Sequence, residues 1–276
     1  MTRNDHDEIA VSEHELHAMT AELDMLHKET FPAVQKTFAE VRANLSHLRT
    51  SSAGDAGRRT FLLGLGGAAL VGGVAACSSS GSRSTSAPPA TAGGNSSPMQ
   101  PPSSSSAGKY TGDLKVVALA AALENLAVAA YAGAIKMAGQ HKLGKVPSAV
   151  ATFAVTAMTQ HKDHAAGWNS VLTKNSLPAV KGTPLTIAKA EVAKLGQAKN
   201  VVDVAKLALG LENAAAATYQ LAVGAVQDPA GIVQAATIQP VEAMHAALLN
   251  FVLGQYPVPM ADIGTDMAVH PSAFTG

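Results

Sequence analysis

The stretches ALENLAVAAYAGAI at residues 122–135 and GLENAAAATYQLAV at residues 210–223 decide the fold of this chain. Each contains a single Glu and, seven residues later, a Tyr within an otherwise apolar run that lacks strand-like alternation. Seven residues are about two helical turns, so each Tyr lies almost above its Glu on one helix face. We therefore predict two helices that bury the same polar pattern.

A second pair of matching stretches follows each of these, HKDHAAGWNSVL at 161–172 and EAMHAALLNFVL at 242–253. Residues three apart on a helix project from the same face, so each of these helices presents two candidate ligands side by side. The chain therefore contains a helical hairpin in two copies.

Three carboxylates in this region have no charged neighbours in sequence, because each is the only charged side chain of an apolar, helix-length segment. Burying an unpaired carboxylate costs several kcal/mol, so the three need a common cation or must stay protonated. One Glu from each of two helices, with a pair spaced i, i+3 from each of the others, is the ligand pattern of a dinuclear metal centre. The predicted ligands are Glu124, His161, His164, Glu212, Glu242 and His245.

Several of these assignments have alternatives. The first two glutamates could instead be buried acids that accept hydrogen bonds from Tyr or Asn side chains. His161 is either a ligand or a donor that orients a ligand. Gln160 is expected to point about 100° away from His161, and we leave it outside the site. Tyr131 and Tyr219 fit core residues with satisfied hydroxyls better than redox-active residues.

A family resemblance is carried by Glu124, His164, Glu212 and Glu242-x-x-His245. On these residues, the segment 109–276 resembles the ferritin-like superfamily, and in particular exported bacterial ferritin-like domain proteins. The resemblance implies an all-α, antiparallel four-helix bundle with one long crossover between its second and third helices. It also implies a site for two metal ions and the oxidation of Fe(II) by oxygen or peroxide. The chain departs from the family at His161, where the family has Glu.

Mixed nitrogen and oxygen ligands favour iron or manganese, and zinc stays an alternative. The predicted bundle helices cover about 113–139, 148–174, 201–227 and 230–254. Residues 175–200 form the crossover, with a short helix near 187–195. Pro240 is expected to bend the fourth helix or to remove one of its hydrogen bonds. The tail 255–276 is interrupted by Pro and is expected to pack loosely.

An export signal is predicted upstream of the bundle. Arg58 and Arg59 precede the apolar stretch 63–76, which resembles a twin-arginine signal and is short for a membrane span of about 20 residues. It ends in Val74-Ala75-Ala76-Cys77, which matches the box cleaved before the lipid-modified cysteine of bacterial lipoproteins. Cys77 is the only cysteine, so we expect it to carry a lipid. The alternatives are an uncleaved signal anchor and a cleaved protein whose cysteine has no role.

Four regions follow from these patterns: an N-terminal extension at 1–56, the signal at 57–77, a disordered linker at 78–108 and the helical domain at 109–276. The linker is Ser, Gly and Pro-rich and cannot bury apolar area, so it is predicted to be a tether.

The N-terminal extension has apolar residues at three-four spacing on both sides of Pro32, which predicts two amphipathic helices. They could pair as a hairpin or with a partner. We interpret the histidines near its start as part of a solvated face rather than as a second metal site. Translation from Met19 or Met25 is an alternative.

The formal net charge of zero argues against nucleic acid as a partner. The expected partners are metal ions, the twin-arginine export machinery and the membrane through Cys77, and a homo-oligomer is open. The expected location is the bacterial cell envelope, on the outer face of the cytoplasmic membrane. The alternative function is a non-catalytic metal-binding or structural helical module that contacts a partner there.

Overall fold

The computed structural model describes residues 11–51, 109–260 and 263–276, and its elements are helical apart from one isolated bridge. The α-helices are α1 (Glu13–Ser51), α2 (Asp113–Gly139), α3 (Ser148–Lys174), α4 (Ala188–Gln197), α5 (Val201–Ala225) and α6 (Pro229–Val252). The predicted all-α bundle is confirmed, and its four predicted helices correspond closely to α2, α3, α5 and α6.

The bundle consists of two helical hairpins. α2 packs mainly against α3, and α5 packs mainly against α6. Short connections join the members of each hairpin, whereas residues 175–200 form the long crossover between the hairpins and contain α4. This is the arrangement that the duplicated sequence predicts. α6 continues through Pro240 without interruption.

Two asparagines fix the crossover to the bundle. The side chain of Asn169 on α3 accepts a hydrogen bond from the Val180 N–H at 2.7 Å and donates to the Val180 carbonyl at 3.3 Å. Asn125, which follows Glu124 on α2, donates to the Gly182 carbonyl at 2.9 Å. The N–H and carbonyl of Val180 and the carbonyl of Gly182 are thus satisfied by side chains of the helices beneath the crossover.

Acidic and amide side chains also fix the second hairpin. Asn200 caps α5 by accepting a hydrogen bond from the Asp203 N–H at 2.8 Å. Asp113, in the first turn of α2, accepts hydrogen bonds from the backbone N–H groups of Gln227 at 2.8 Å and Asp228 at 2.6 Å. The turn between α5 and α6 is therefore tied to the start of α2.

The end of the tail is well packed, so the expectation of loose packing is wrong there. Phe274 is buried, and its ring lies edge-on to that of Tyr110 with centroids 5.5 Å apart. The Thr186 N–H donates to the Ala273 carbonyl, and the Thr275 N–H donates to the Pro184 carbonyl, both at 2.9 Å. The crossover offers free backbone groups, and the tail pairs with them.

The N-terminal extension forms one continuous helix where two were predicted, because α1 continues through Pro32. Proline removes one intrahelical hydrogen bond and can kink a helix without ending it. The part of α1 up to Ala43 belongs to the same compact unit as residues 107–276. The other unit covers residues 44–106, of which the structure describes only the end of α1.

The predicted export signal with Arg58 and Arg59, the predicted lipidation site at Cys77 and the linker 78–108 lie outside the described residues. They stay predictions, as do the boundaries of the four regions. α2 is long and apolar enough to cross a membrane by length and composition. Here it is a core helix of the bundle, and it buries Glu124.

Candidate metal centre

The six predicted ligands lie together inside the bundle. Each is at most 2% exposed. α2 supplies Glu124, α3 supplies His161 and His164, α5 supplies Glu212, and α6 supplies Glu242 and His245. The spacing of three residues on α3 and α6 directs both side chains of each helix to the same place, as the sequence predicted.

These residues form two overlapping groups whose ligand atoms lie within 4.8 Å of one another. The first group is Glu124, His161, His164 and Glu242, and the second is His161, Glu212, Glu242 and His245. Because two residues belong to both groups, two ions could be held side by side with ligands shared between them.

The distances within each group are short. Nδ1 of His164 lies 2.9 Å from Oε1 of Glu242 and 3.6 Å from Oε2 of Glu124. On the other side, Nδ1 of His245 lies 3.4 Å from Oε2 of Glu212 and 3.7 Å from Oε2 of Glu242. Glu242 therefore directs one oxygen to each group.

Several of these atoms are buried and lack hydrogen-bond partners among the residues that the structure describes. They are Nδ1 of His164, Nδ1 of His245, Oε2 of Glu212 and both carboxylate oxygens of Glu242. Leaving one buried polar group unsatisfied costs about 1–3 kcal/mol. Two cations, one in each group, would satisfy all of them, so the residues present fit a dinuclear metal centre.

His161 lies between two carboxylates. Its Nδ1 is 2.7 Å from Oε2 of Glu124, and its Nε2 is 3.2 Å from Oε1 of Glu212. Burial opposes a charge on this ring, but Glu212 and Glu242 outweigh it and raise the pKa of His161 well above its usual value. Both predicted roles of His161, as a ligand and as a donor that orients carboxylates, are compatible with this position.

Two tyrosines donate hydrogen bonds to glutamates of the site. The Tyr131 hydroxyl donates to Oε1 of Glu212 at 2.5 Å, and the Tyr219 hydroxyl donates to Oε1 of Glu124. Burial and the neighbouring carboxylates raise both tyrosine pKa values, so the hydroxyls stay protonated donors. Nε1 of Trp168 donates to the Tyr219 hydroxyl at 3.2 Å. Each tyrosine thus holds the glutamate of the other hairpin.

Charges within the site stabilise one another. Burial opposes ionisation of Glu124, but the positive charges of His164 and His161 outweigh it and lower the pKa of Glu124 to about 2. Burial likewise disfavours a charged His164, but Glu124 raises the pKa of His164 to about 9. Without metal, His164 therefore carries a proton at neutral pH, which a metal ion must displace.

Gln160 belongs to the site, although the sequence analysis placed it outside. It is buried, and its Oε1 lies 2.8 Å from Nε2 of His245. A hydrogen bond from Nε2–H to this amide oxygen leaves Nδ1 of His245 free to bind a metal. A helical wheel gives the direction of a side chain on its own helix but not the position of the neighbouring helix, which here is α6.

His27 on α1 is the second residue that the sequence analysis missed. It is buried, and its Nε2 lies 3.2 Å from Nε2 of His164. The Phe31 ring stacks on it with centroids 4.9 Å apart. Burial lowers the pKa of His27 to about 4, so this imidazole is neutral. The signal available in the sequence was the spacing of four residues from Leu23 to His27 and from His27 to Phe31.

A small cavity of about 20 Å³ adjoins the site. Glu124, His161 and Glu212 line its polar side, and Leu123, Leu211 and other apolar residues line the rest. This volume accommodates roughly one water-sized molecule.

The comparisons with known proteins agree with this geometry. Residues 112–255 match the family described as the ferritin-like domain, and this range contains the helices α2 to α6 and all six predicted ligands. No curated protein and no solved structure matches the chain. The match to the family covers more than half of the chain. The chain therefore belongs to the ferritin-like domain family.

Proposed function

We propose that this protein is an exported, membrane-tethered ferritin-like protein that binds two iron or manganese ions and oxidises Fe(II) with oxygen or peroxide. The observation that carries the proposal is the group of unpaired buried nitrogen and oxygen atoms that α3, α5 and α6 direct toward one another. Family membership supports it, because the matched range contains every one of these residues.

The geometry suggests a division of roles. Glu242 belongs to both groups and would lie between the ions. Glu124 and His164 would complete one ion site, and Glu212 and His245 the other. Three carboxylates against two divalent ions leave about one positive charge for hydroxide or water to balance. Carboxylate and imidazole ligands suit iron and manganese, and zinc also accepts them.

Two Fe(II) ions bound here would supply two electrons to one molecule of oxygen or peroxide. The cavity of about 20 Å³ beside Glu124, His161 and Glu212 has room for one water-sized molecule, such as the hydroxide or water that would balance the charge of the two ions. Its apolar lining and the buried site limit the access of bulk water. In the metal-free chain, burial opposes a charge on His161, but the carboxylates of Glu212 and Glu242 raise the pKa of His161 and so keep a proton beside this cavity.

A second candidate is a non-catalytic metal-binding or structural module, and the position of His161 favours it. This imidazole contacts Glu124 and Glu212 through its two ring nitrogens. A protonated His161 can thereby neutralise charge without a metal. It also replaces a carboxylate that the family resemblance would place there. Metal without oxygen uptake is the result that separates this candidate from the ferroxidase.

The metal part is tested on the full chain. Arg58→Lys and Arg59→Lys block the predicted export and so keep the chain whole. Elemental analysis is expected to give about two iron or manganese ions per chain, matching the two residue groups. Glu212→Ala and His245→Ala should lose metal, whereas Asp163→Ala, an exposed residue on α3, should keep it. A folded wild-type chain without metal contradicts the proposal.

Turnover is tested by adding Fe(II) to the metal-depleted chain without oxygen and then adding oxygen or peroxide. Uptake that depends on Fe(II), and that is lost in Glu212→Ala but not in Asp163→Ala, supports the ferroxidase. Bound metal with no uptake of either oxidant supports the non-catalytic candidate instead.

Export and tethering are tested separately in bacterial cells. The unaltered chain is expected in the membrane fraction with incorporated radiolabelled fatty acid, and Cys77→Ser is expected to lose the label. The pair Arg58→Lys and Arg59→Lys should leave the protein in the cytoplasm. Labelling that persists in Cys77→Ser contradicts the lipid anchor.

A further inference from the structure

α1 packs on the bundle through one narrow stripe of side chains. These side chains, spaced three or four residues apart, are Leu16, Thr20, Leu23, His27 and Phe31, and all are buried. The two leucines join the apolar cluster that contains Phe153 of α3 and Leu248 of α6. Because the stripe faces the bundle, the His27 side chain lies on the side of α1 that faces the metal centre.

The start of α1 fixes its position along α3. α3 begins after Pro147 and has no side-chain cap of its own. Glu13 replaces that cap, since its Oε2 accepts hydrogen bonds from Oγ of Ser148 at 2.9 Å and from the Ala149 N–H at 3.4 Å. A carboxylate at a helix N-terminus is favourable because of the exposed N–H groups there. The contact sets which residue of α1 meets His164.

The duplicated motif gives His245 a hydrogen-bond partner on the facing bundle helix but gives His164 no matching one. In one half, Nε2 of His245 has Gln160 as its partner, 2.8 Å away. Gln160 directly precedes His161 in the first motif, and the matching residue before Glu242 in the second motif is Val241. Valine has no hydrogen-bonding group, so the second motif cannot return the same hydrogen bond to His164.

His27, which lies outside the repeat, is the partner of Nε2 of His164. Its Nε2 lies 3.2 Å from Nε2 of His164. The other ring nitrogen of His164, Nδ1, faces the metal centre. It lies 2.9 Å from Oε1 of Glu242 but forms no hydrogen bond with the residues that the structure describes. We infer that α1 is a fifth wall of the metal centre and that His27 is a positioning residue. It accepts the Nε2–H of His164 and so directs the Nδ1 lone pair to the metal.

The inference rests on the proposed function, because it assumes that the site binds metal. Co(II) is the probe for its test. The full chain with Arg58→Lys and Arg59→Lys serves as reference. His27→Ala is expected to bind Co(II) about 10–100-fold more weakly and to shift its visible absorption bands. His27→Gln offers an amide oxygen, as Gln160 does, and should restore most of both. His14→Ala changes an exposed histidine of the same helix and should match the reference.

A folded His27→Ala chain with the affinity and absorption bands of the reference would overturn the inference. α1 would then only pack on the bundle, without a role for His27 in metal binding. If His27→Ala does not fold, as judged by circular dichroism, His27→Gln decides. Reference-like Co(II) binding in that variant then supports a hydrogen-bond acceptor at this position, and weak binding overturns it.

A measurement without metal separates this inference from the proposed function. Nitrogen-15 NMR of the metal-free chain should show a scalar coupling across the hydrogen bond between Nε2 of His164 and Nε2 of His27. A chain that binds no metal but shows the coupling contradicts the proposed function and supports the pairing of the two histidines. A chain without the coupling contradicts the pairing, whatever metal it binds.

Discussion

The Tyr131 hydroxyl on α2 donates a hydrogen bond to Oε1 of Glu212 on α5, 2.5 Å away, and so links the two hairpins through a buried carboxylate. Tyr131→Phe removes this donor and leaves the Glu212 carboxylate with one hydrogen bond fewer. A hydrogen bond to a charged group contributes about 1.5–3 kcal/mol, and we expect a loss of that size in the free energy of unfolding. Urea denaturation after metal removal measures it. Tyr256→Phe is the control because Tyr256 is 75% exposed, and an equal loss in both variants contradicts the prediction.

The shared position of Glu242 predicts a difference between glutamates. Glu242→Gln should reduce the binding of both ions, because both ligand groups contain this residue. Glu124→Gln should weaken mainly one ion, because Glu124 belongs to one group. Stepwise metal titration followed by elemental analysis distinguishes the patterns. Retention of one tight ion in the Glu242→Gln chain would argue against a shared carboxylate.

Gln160 is expected to affect the ion bound by His245. Gln160→Leu keeps a side chain of similar length and removes the oxygen that lies 2.8 Å from Nε2 of His245. Loss of such an outer hydrogen bond weakens metal binding about 10–100-fold, and we expect that effect on one of the two ions. Titration with Co(II) measures it. Gln140→Leu, at an exposed position, serves as the matched control and should bind like wild type.

Metal binding should release protons at neutral pH. Burial opposes the charge on His164, but Glu124 raises its pKa to about 9, so the metal-free residue is protonated at pH 7. A metal ion needs the neutral imidazole, so affinity should rise with pH up to about 9 and fall below it. Calorimetry in buffers with different ionisation enthalpies counts the released protons. A binding heat that is independent of the buffer would contradict the raised pKa.

The tail should contribute to stability through Phe274, which is buried against Tyr110. Truncation of a buried Phe to Ala typically costs about 3–5 kcal/mol, and we expect Phe274→Ala to fall near the lower end because the site lies at the edge of the bundle. Thermal or urea denaturation measures it. Val258→Ala, in an exposed part of the same tail, should have little effect. An unchanged free energy of unfolding for Phe274→Ala would show that the tail packs loosely after all.

Much of the bundle could be predicted because local pattern and repetition agree. Each of the helices α2, α3, α5 and α6 is an apolar segment of helical length whose few polar residues recur in its counterpart. Burial of a lone carboxylate is costly enough that the chain must bring Glu124, Glu212 and Glu242 together. The convergence of the six predicted ligands follows from that constraint.

Contacts between distant segments could not be predicted in the same way. His27 and His164 are 137 residues apart, and no local periodicity relates them. Gln160 was excluded because its direction on α3 was considered without the neighbouring helix, although His245 lies on that side. Pro32 suggested a break that α1 does not have, since the loss of one hydrogen bond does not end a helix packed along one side.

The position of α1 in the chain links the inferred role of His27 to the proposed export. α1 precedes Cys77, so cleavage before this cysteine, which the export proposal requires, would detach His27 from the domain that it helps to build. The metal centre would then exist in two chemical forms, a precursor in which His164 has an imidazole partner and a mature form in which water or another group takes its place. On that proposal, the cleavage that precedes lipidation of Cys77 would also change the surroundings of His164.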